Sequence, residues 1–237
     1  MIYDWKIIKS VKEGVAESQK EKFPYFLNPK DVYGLKIQVN KHVFSPKHFK
    51  GYKFFLSKLK NIKNKTILEV GSGHGVVSCV FSLRGAKSVL AVDINKHAVK
   101  NTTLNVKYNN LKNIDVRQSD VFSNLKNSEK FDILFWNTPW AIVPKEFEKD
   151  MSPEDYWGFD VGYKAITSYL KYGKKHLADN GVLYLGFGVE GSDYDLIEKL
   201  IKKYNYKKNL IADEYFTAGE KINGKLIKFK MKLYALR

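Results

Sequence analysis

The chain has 237 residues and a formal net charge of +16, from 41 basic and 25 acidic side chains. That length allows one substantial core with a short extension, and no internal repeat, low-complexity linker or apolar run long enough for a bilayer is present. The only cysteine, Cys79, excludes an intramolecular disulfide or a cysteine-based metal cluster, and the histidines His42, His48, His74, His97 and His176 lack ligand spacing, so no metal is expected.

Residues 1–64 read as an N-terminal extension and residues 65–237 as the main domain. The opening Met1-Ile2-Tyr3-Asp4-Trp5-Lys6 lacks the apolar core of a signal peptide, which with the lone cysteine gives a cytoplasmic location as the expectation. Residues 1–65 carry 15 basic and 5 acidic side chains, so most of the positive surplus sits there and points to a polyanionic partner. Against this, only Arg84, Arg117 and Arg237 are arginines, the residue that grips phosphate bidentately. The extension reads as a strand and a helix, and its run Val43-Phe44-Ser45-Pro46-Lys47-His48-Phe49 precedes Tyr52, Phe54, Phe55 and Leu56.

Thr66-Ile67-Leu68-Glu69-Val70 predicts a buried strand, and Gly71-Ser72-Gly73-His74-Gly75 a tight turn into a helix that holds Cys79. Ser88 to Val92 predicts a second strand closed by Asp93 and Ile94. A carboxylate there can accept hydrogen bonds from both hydroxyls of a ribose, and glycines let a ligand press against the main chain. The spacing is G-x-G-x-G, with Val76 and Val77 where a dinucleotide site would place its last glycine, so no pyrophosphate is demanded. Glu69, two positions before the first glycine, suits a cofactor that carries an ammonium and a sulfonium charge.

Lys96 to Asn109 predicts a helix, Ile114 to Gln118 a third strand, and Ser119-Asp120-Val121-Phe122 a loop. Phe131 to Trp136 predicts a fourth strand that runs into Asn137-Thr138-Pro139-Trp140. A planar amide or amino nitrogen has a delocalised lone pair and becomes nucleophilic only when two acceptors hold its hydrogens. Glu146, Glu148, Asp150, Glu154, Asp155 and Asp160 then form an acidic stretch with Phe147, Tyr156, Trp157 and Phe159 interleaved. A helix at Val161 to Ala178, a strand at Val182 to Phe187 and a helix with Leu196, Ile197, Leu200, Ile201 and Tyr204 on one face follow. Strands at Asn209 to Phe216 and Ile227 to Leu236, joined by a turn at Ile222-Asn223-Gly224-Lys225, complete a count of seven.

The Glu69 to Gly75 segment with Asp93 resembles motif I of the class I S-adenosylmethionine (SAM) methyltransferases, and Asn137 to Trp140 resembles their Asn-Pro-Pro-Tyr/Phe/Trp motif, with Thr138 in place of the first proline. Val43 to Pro46 resembles the segment ahead of motif I in the methyltransferase small domain group, which includes ribosomal-RNA guanine 2-amino and release-factor glutamine methyltransferases. The resemblance implies an α/β, Rossmann-like, seven-stranded and mostly parallel sheet with a C-terminal antiparallel hairpin, helices on both faces and a small N-terminal extension. It implies SAM as cofactor, S-adenosylhomocysteine (SAH) as product, and a cofactor site of Glu69, Gly71, Ser72, Gly73, His74, Gly75, Asp93, Ile94, Asp120, Val121, Phe44 and Pro46, with Phe122 covering the adenine. Asn137 and Thr138 would accept from the target nitrogen, with Pro139 fixing the loop, Trp140 stacking on the target plane, and Tyr156 and Trp157 beside it. The reading is a SAM-dependent N-methyltransferase. Its first-ranked acceptor is an exocyclic amino group in RNA, docked through the basic extension; a protein side chain or a small molecule is the alternative, and a non-catalytic SAM-binding scaffold the remote one. Neither the acceptor nor the oligomeric state is legible in the sequence.

Overall fold

Three runs set the centre of the molecule: Thr66–Val70, Ser88–Asp93 and Phe131–Asn137 are buried almost throughout, as parallel strands covered by helices on both faces must be. A computed structural model describes residues 5–47, 50–151, 155–217 and 228–237 of the chain. In chain order the elements are α1 (Trp5–Gln19), β1 (Tyr25–Phe26), β2 (Gln38–Val39), α2 (Gly51–Lys58), β3 (Thr66–Val70), α3 (Val76–Leu83), β4 (Ser88–Asp93), α4 (Lys96–Tyr108), β5 (Ile114–Gln118), β6 (Phe131–Asn137), β7 (Ala141–Val143), β8 (Phe159–Val161), α5 (Lys164–Tyr172), β9 (Leu177–Gly188), α6 (Tyr194–Lys203), β10 (Lys208–Thr217) and β11 (Lys228–Leu236).

Seven strands form one sheet in the order β10-β11-β9-β6-β3-β4-β5. Strands β3, β4, β5, β6 and β9 pair in parallel, whereas β11 is antiparallel to both β9 and β10. The chain moves outward from β3 through β4 to β5, then returns to the other side of β3 as β6. The carboxyl ends of β3 and β6 therefore flank the point where strand order reverses, the usual place for a ligand crevice in such sheets.

Period-two alternation divides the core between the two faces. Ile67, Ile133 and Phe135 join α2, α3 and the extension residues Ile8, Val11, Leu35 and Ile37 in one cluster. Leu68, Val70, Leu134 and Trp136 join Ile166, Tyr169 and Ile197 of α5 and α6 in the other. Helix ends are fixed locally: Asn95 and Asp193 cap α4 and α6 by accepting from the His97 and Leu196 N–H groups, and Gly85, Asn110 and Asn205 turn left-handed just past α3, α4 and α6.

The helix expected over Val161 to Ala178 is shorter. Gly162 (φ +72°) and Tyr163 (φ +61°) break the chain before Lys164, and Phe159–Val161 instead pairs in parallel with Ala141–Val143 as a separate two-stranded sheet. After Tyr172 the chain tightens into a 3₁₀ turn at Gly173–His176, and β9 starts at Leu177, earlier than the expected Val182. The expected turn at Ile222 to Lys225 lies outside the described residues.

The ring of Phe55, fully buried on α2, sits over Gly186 of β9, where an added Cβ would lie 2.4 Å from its Cε1. Gly186→Ala is expected to lower unfolding free energy by about 2–3 kcal/mol through overpacking. Urea denaturation measures this; a loss below about 0.5 kcal/mol would mean that the ring turns aside at little cost.

Candidate functional site

A cavity of about 410 Å³ opens at the carboxyl ends of β3, β4 and β6, within the size range of small-ligand sites. Its floor is the glycine loop. Gly71 (φ +68°) passes so close to Trp136 that a Cβ would meet the indole Nε1 at 3.1 Å, so both the backbone conformation and the tight approach favour glycine. At Gly73 (φ +54°) a Cβ would meet nothing within 4 Å, so here the bare backbone faces the open cavity. Ser72 and His74 line the cavity as well. Gly75 lies outside that lining: it precedes α3 with φ +81° and packs on Thr102.

Asp93, at the end of β4, ties the loop to its own strand. One carboxylate oxygen accepts the Gly73 N–H at 2.9 Å and the other the Asn95 N–H at 2.9 Å. Burial pushes the Asp93 carboxyl above the ordinary carboxylate range, and these backbone donors act against that rise. Glu69 is buried at the end of β3 and accepts a short hydrogen bond from the Ser78 hydroxyl. Burial pushes its carboxyl up to about 8. The cavity lining holds Glu69, Asp93, Asp120 and Asp160 against one lysine, Lys164. That balance disfavours a phosphate-bearing ligand and fits one that carries positive charge. The residues present thus fit SAM: Glu69 would hold its ammonium end, Asp93 the ribose, and the Asp120-Val121 loop the adenine.

His74 is neutral. Burial pulls its imidazole down to about 4, and its Nδ1 accepts the Val76 N–H at 3.3 Å. Ile94, Asp120 and Val121 line the cavity, as does Phe44 of the extension. Pro46 is buried and lies outside the cavity lining, where Phe44 represents the segment, and Phe122 stacks on His176 and Tyr169 inside the core at 4.8 and 5.8 Å.

The far wall is Asn137-Thr138-Pro139-Trp140 at the end of β6. Among the described residues, no protein group hydrogen-bonds the Asn137 side-chain amide or the Thr138 carbonyl, so both acceptors are open. Thr138 is held by its own N–H, donated to the Gly186 carbonyl at 2.9 Å. Trp140 reaches the cavity but is only 8% exposed: its ring packs on Phe229 at 4.4 Å and between Gly51 and Gly188. It is a wall of the cavity, and Tyr156, 45% exposed, and the half-buried Trp157 line it with more open ring surface.

The acidic stretch is partly absorbed into structure. Asp160 accepts the Ala165 and Ile166 N–H groups at 3.1 and 2.8 Å and so anchors the start of α5, while Asp155 pairs with Lys12 of α1 at 3.7 Å. Sequence reasoning missed Trp136, which shapes the loop, and Asn95, which lines the mouth; the signals were a tryptophan one residue before Asn137 and a helix cap two residues after Asp93.

Residues 34–150 match the family described as Methyltransferase small domain. A protein of Methanocaldococcus jannaschii that carries the provisional name protein N5-glutamine methyltransferase is 33% identical over 132 residues, 56% of this chain and 64% of that one. A release factor glutamine methyltransferase of Fusobacterium nucleatum is 26% identical over 85% of this chain and 59% of its own length. The chain thus spans less than two thirds of either relative. Among solved structures, SMU.776, provisionally named a methyltransferase and complexed with SAH, superposes with a TM-score of 0.59 at 15% identity, over 90% of this chain and 57% of that one, and shows the fold. With its sheet order, its glycine loop and the matched segment, the chain is similar to the methyltransferase small domain group of the class I SAM-dependent methyltransferases.

Proposed function

We propose that the protein methylates the side-chain amide nitrogen of glutamine in a protein acceptor. The observation that carries this reading is the pair of open acceptors, the Asn137 amide oxygen and the Thr138 carbonyl, on the wall of a cavity whose opposite side fits SAM. The two relatives are both named for glutamine methylation, which favours a protein over the RNA base ranked first from sequence. Ion pairs to acids elsewhere in the chain, Lys58 with Glu214 and Lys65 with Asp132, offset two of the ten surplus positive charges of residues 1–65.

When bound, the cofactor supplies an electrophilic sulfonium methyl. The Asn137 and Thr138 oxygens accept the two N–H bonds of the target amide, orient its nitrogen and draw it away from conjugation. Once it carries the methyl group that SAM would supply, the nitrogen would give one proton to solvent. No buried base is required, which agrees with a neutral His74 whose Nδ1 is already engaged. Alignment supplies most of the rate.

Incubation with methyl-labelled SAM and an extract that lacks the protein tests the acceptor class. Label is expected in protease-sensitive material and, after acid hydrolysis, as methylamine; label released by ribonuclease, or found in small molecules, would overturn the proposal. Asn137→Ala is expected to lower turnover about a hundredfold, the scale for loss of one preorganised hydrogen bond at a reacting group, with SAH affinity held within about twofold. Unchanged turnover would remove Asn137 from the mechanism.

Glu69 gives a pH signature. Its ordinary value is 4.5 and burial raises it to about 8, so between these limits the folded, ligand-free protein keeps a proton that the unfolded chain has released. Stability must then fall as pH rises through that window. Denaturation midpoints from pH 4.5 to 8 should show this decline in the ligand-free protein. Glu69→Gln should lessen it, and an equal slope in the variant would mean that Glu69 is not its source.

A further inference from the structure

Helix α4 buries Asn101 and Asn105 completely, although asparagine is a poor helix former and seldom fully buried. With Asn109 at its C-terminus they lie at i, i+4 and i+8, and they meet the backbone of the extension at residues 36 to 40. Asn109 accepts the Lys36 N–H at 2.8 Å and donates to the Lys36 carbonyl at 2.9 Å. Asn105 makes the same pair of bonds with Gln38, at 2.9 and 2.8 Å. The match is geometric: four helical residues rise about 6 Å and two strand residues about 6.6 Å. By the third rung the drift is about 1 Å, and there Asn101 accepts from the Asn40 N–H but donates back to the Gln38 carbonyl.

The middle rung does something the others do not. The Asn105 amide also donates to the His74 carbonyl at 2.9 Å, inside the glycine loop. One side chain therefore holds both the loop and the segment that leads through His42, whose carbonyl accepts from the Asn95 amide at 2.7 Å, to Phe44 at the cavity. We propose that Asn105 is a positioning residue for the cofactor: it locks the Phe44 segment to the glycine loop, so that two walls of the pocket are in place before the ligand arrives. The inference rests on the cavity being a SAM site, whatever the acceptor.

Two readouts separate this role from plain stability. In the ligand-free protein, Asn105→Ala is expected to speed amide exchange at Gln38 and, together with it, at Gly75 and Val76 of the loop, while the β9 and β11 amides stay protected. Loss of preorganisation is expected to raise the SAH dissociation constant about tenfold by calorimetry, with kcat at saturating SAM reduced less than about threefold. Asn109→Ala, which breaks only the outer rung, should expose Lys36 and leave SAH affinity within about twofold. If Asn105→Ala does not fold, Asn101→Ala replaces it, and removal of the adjoining rung is expected to weaken SAH about threefold. Faster exchange at Gln38 with an unaltered loop, or unaltered SAH affinity in the folded variant, would overturn the proposal. Wild-type protein that binds no SAH would instead remove the cofactor reading, and the exchange experiment would still decide whether segment and loop are coupled.

Discussion

The close approach of Gly71 to Trp136 is the constraint on which the site depends. Strands β3 and β6 are neighbours because strand order reverses between them, and their ends carry different tasks: one turns into the glycine loop, the other into Asn137 and Thr138. A Cβ here would stand 3.1 Å from the indole, a tight contact on a backbone of φ +68° that already favours glycine. Trp136 in turn packs edge-on against Tyr169 of α5, so the spacing between the cofactor wall and the acceptor wall is set by the core. A reaction that depends on aligning a nitrogen with a methyl group gains from walls that side-chain packing has already fixed.

Charge completes what packing begins. Asp93 uses both oxygens on backbone N–H groups and thereby fastens the loop to β4, while Glu69 has the Ser78 hydroxyl as its direct partner and stays protonated well above the ordinary carboxylate range. The two buried acids therefore differ in kind. Asp93 is already satisfied by the fold and can extend its acceptor capacity to a ligand, whereas Glu69 has burial without a cation, which makes a positively charged ligand end its natural complement.

The central strands were legible because burial on both faces leaves a continuous apolar run, and the glycine loop because its backbone demands are carried by residue type. Three features were hidden for physical reasons. Val161 looked like the start of a helix, and Phe159 and Asp160 like the end of an acidic stretch, because periodicity cannot show that Gly162 and Tyr163 turn left-handed, and a short strand in a two-stranded sheet has no pattern of its own. Pro46 and Trp140 were placed by motif, but whether a motif side chain faces the ligand or the core depends on packing from distant elements, here Phe229 and Gly188 in the case of Trp140. The asparagine rungs had a readable signal, three asparagines four apart on one helix, yet what they bind is backbone, and backbone has no residue type to read.

Thr138 shows how a departure from a motif is made good. Proline at that position would fix φ through its ring but offer no N–H. Threonine leaves φ freer, and its N–H extends the β6 to β9 pairing by a bond to the carbonyl of Gly186, the register partner of Asn137. Thr138 is also buried, so its backbone is confined by contact as well as by that bond. The Thr138 backbone is thus held by the sheet where a ring would otherwise hold it. Gly186 serves this arrangement twice, since its missing side chain admits Phe55 on one face while its carbonyl anchors the Asn137 to Trp140 loop on the strand edge. The same glycine that lets α2 seat on the sheet therefore also fixes one wall of the cavity, which ties that helix to the cavity through packing.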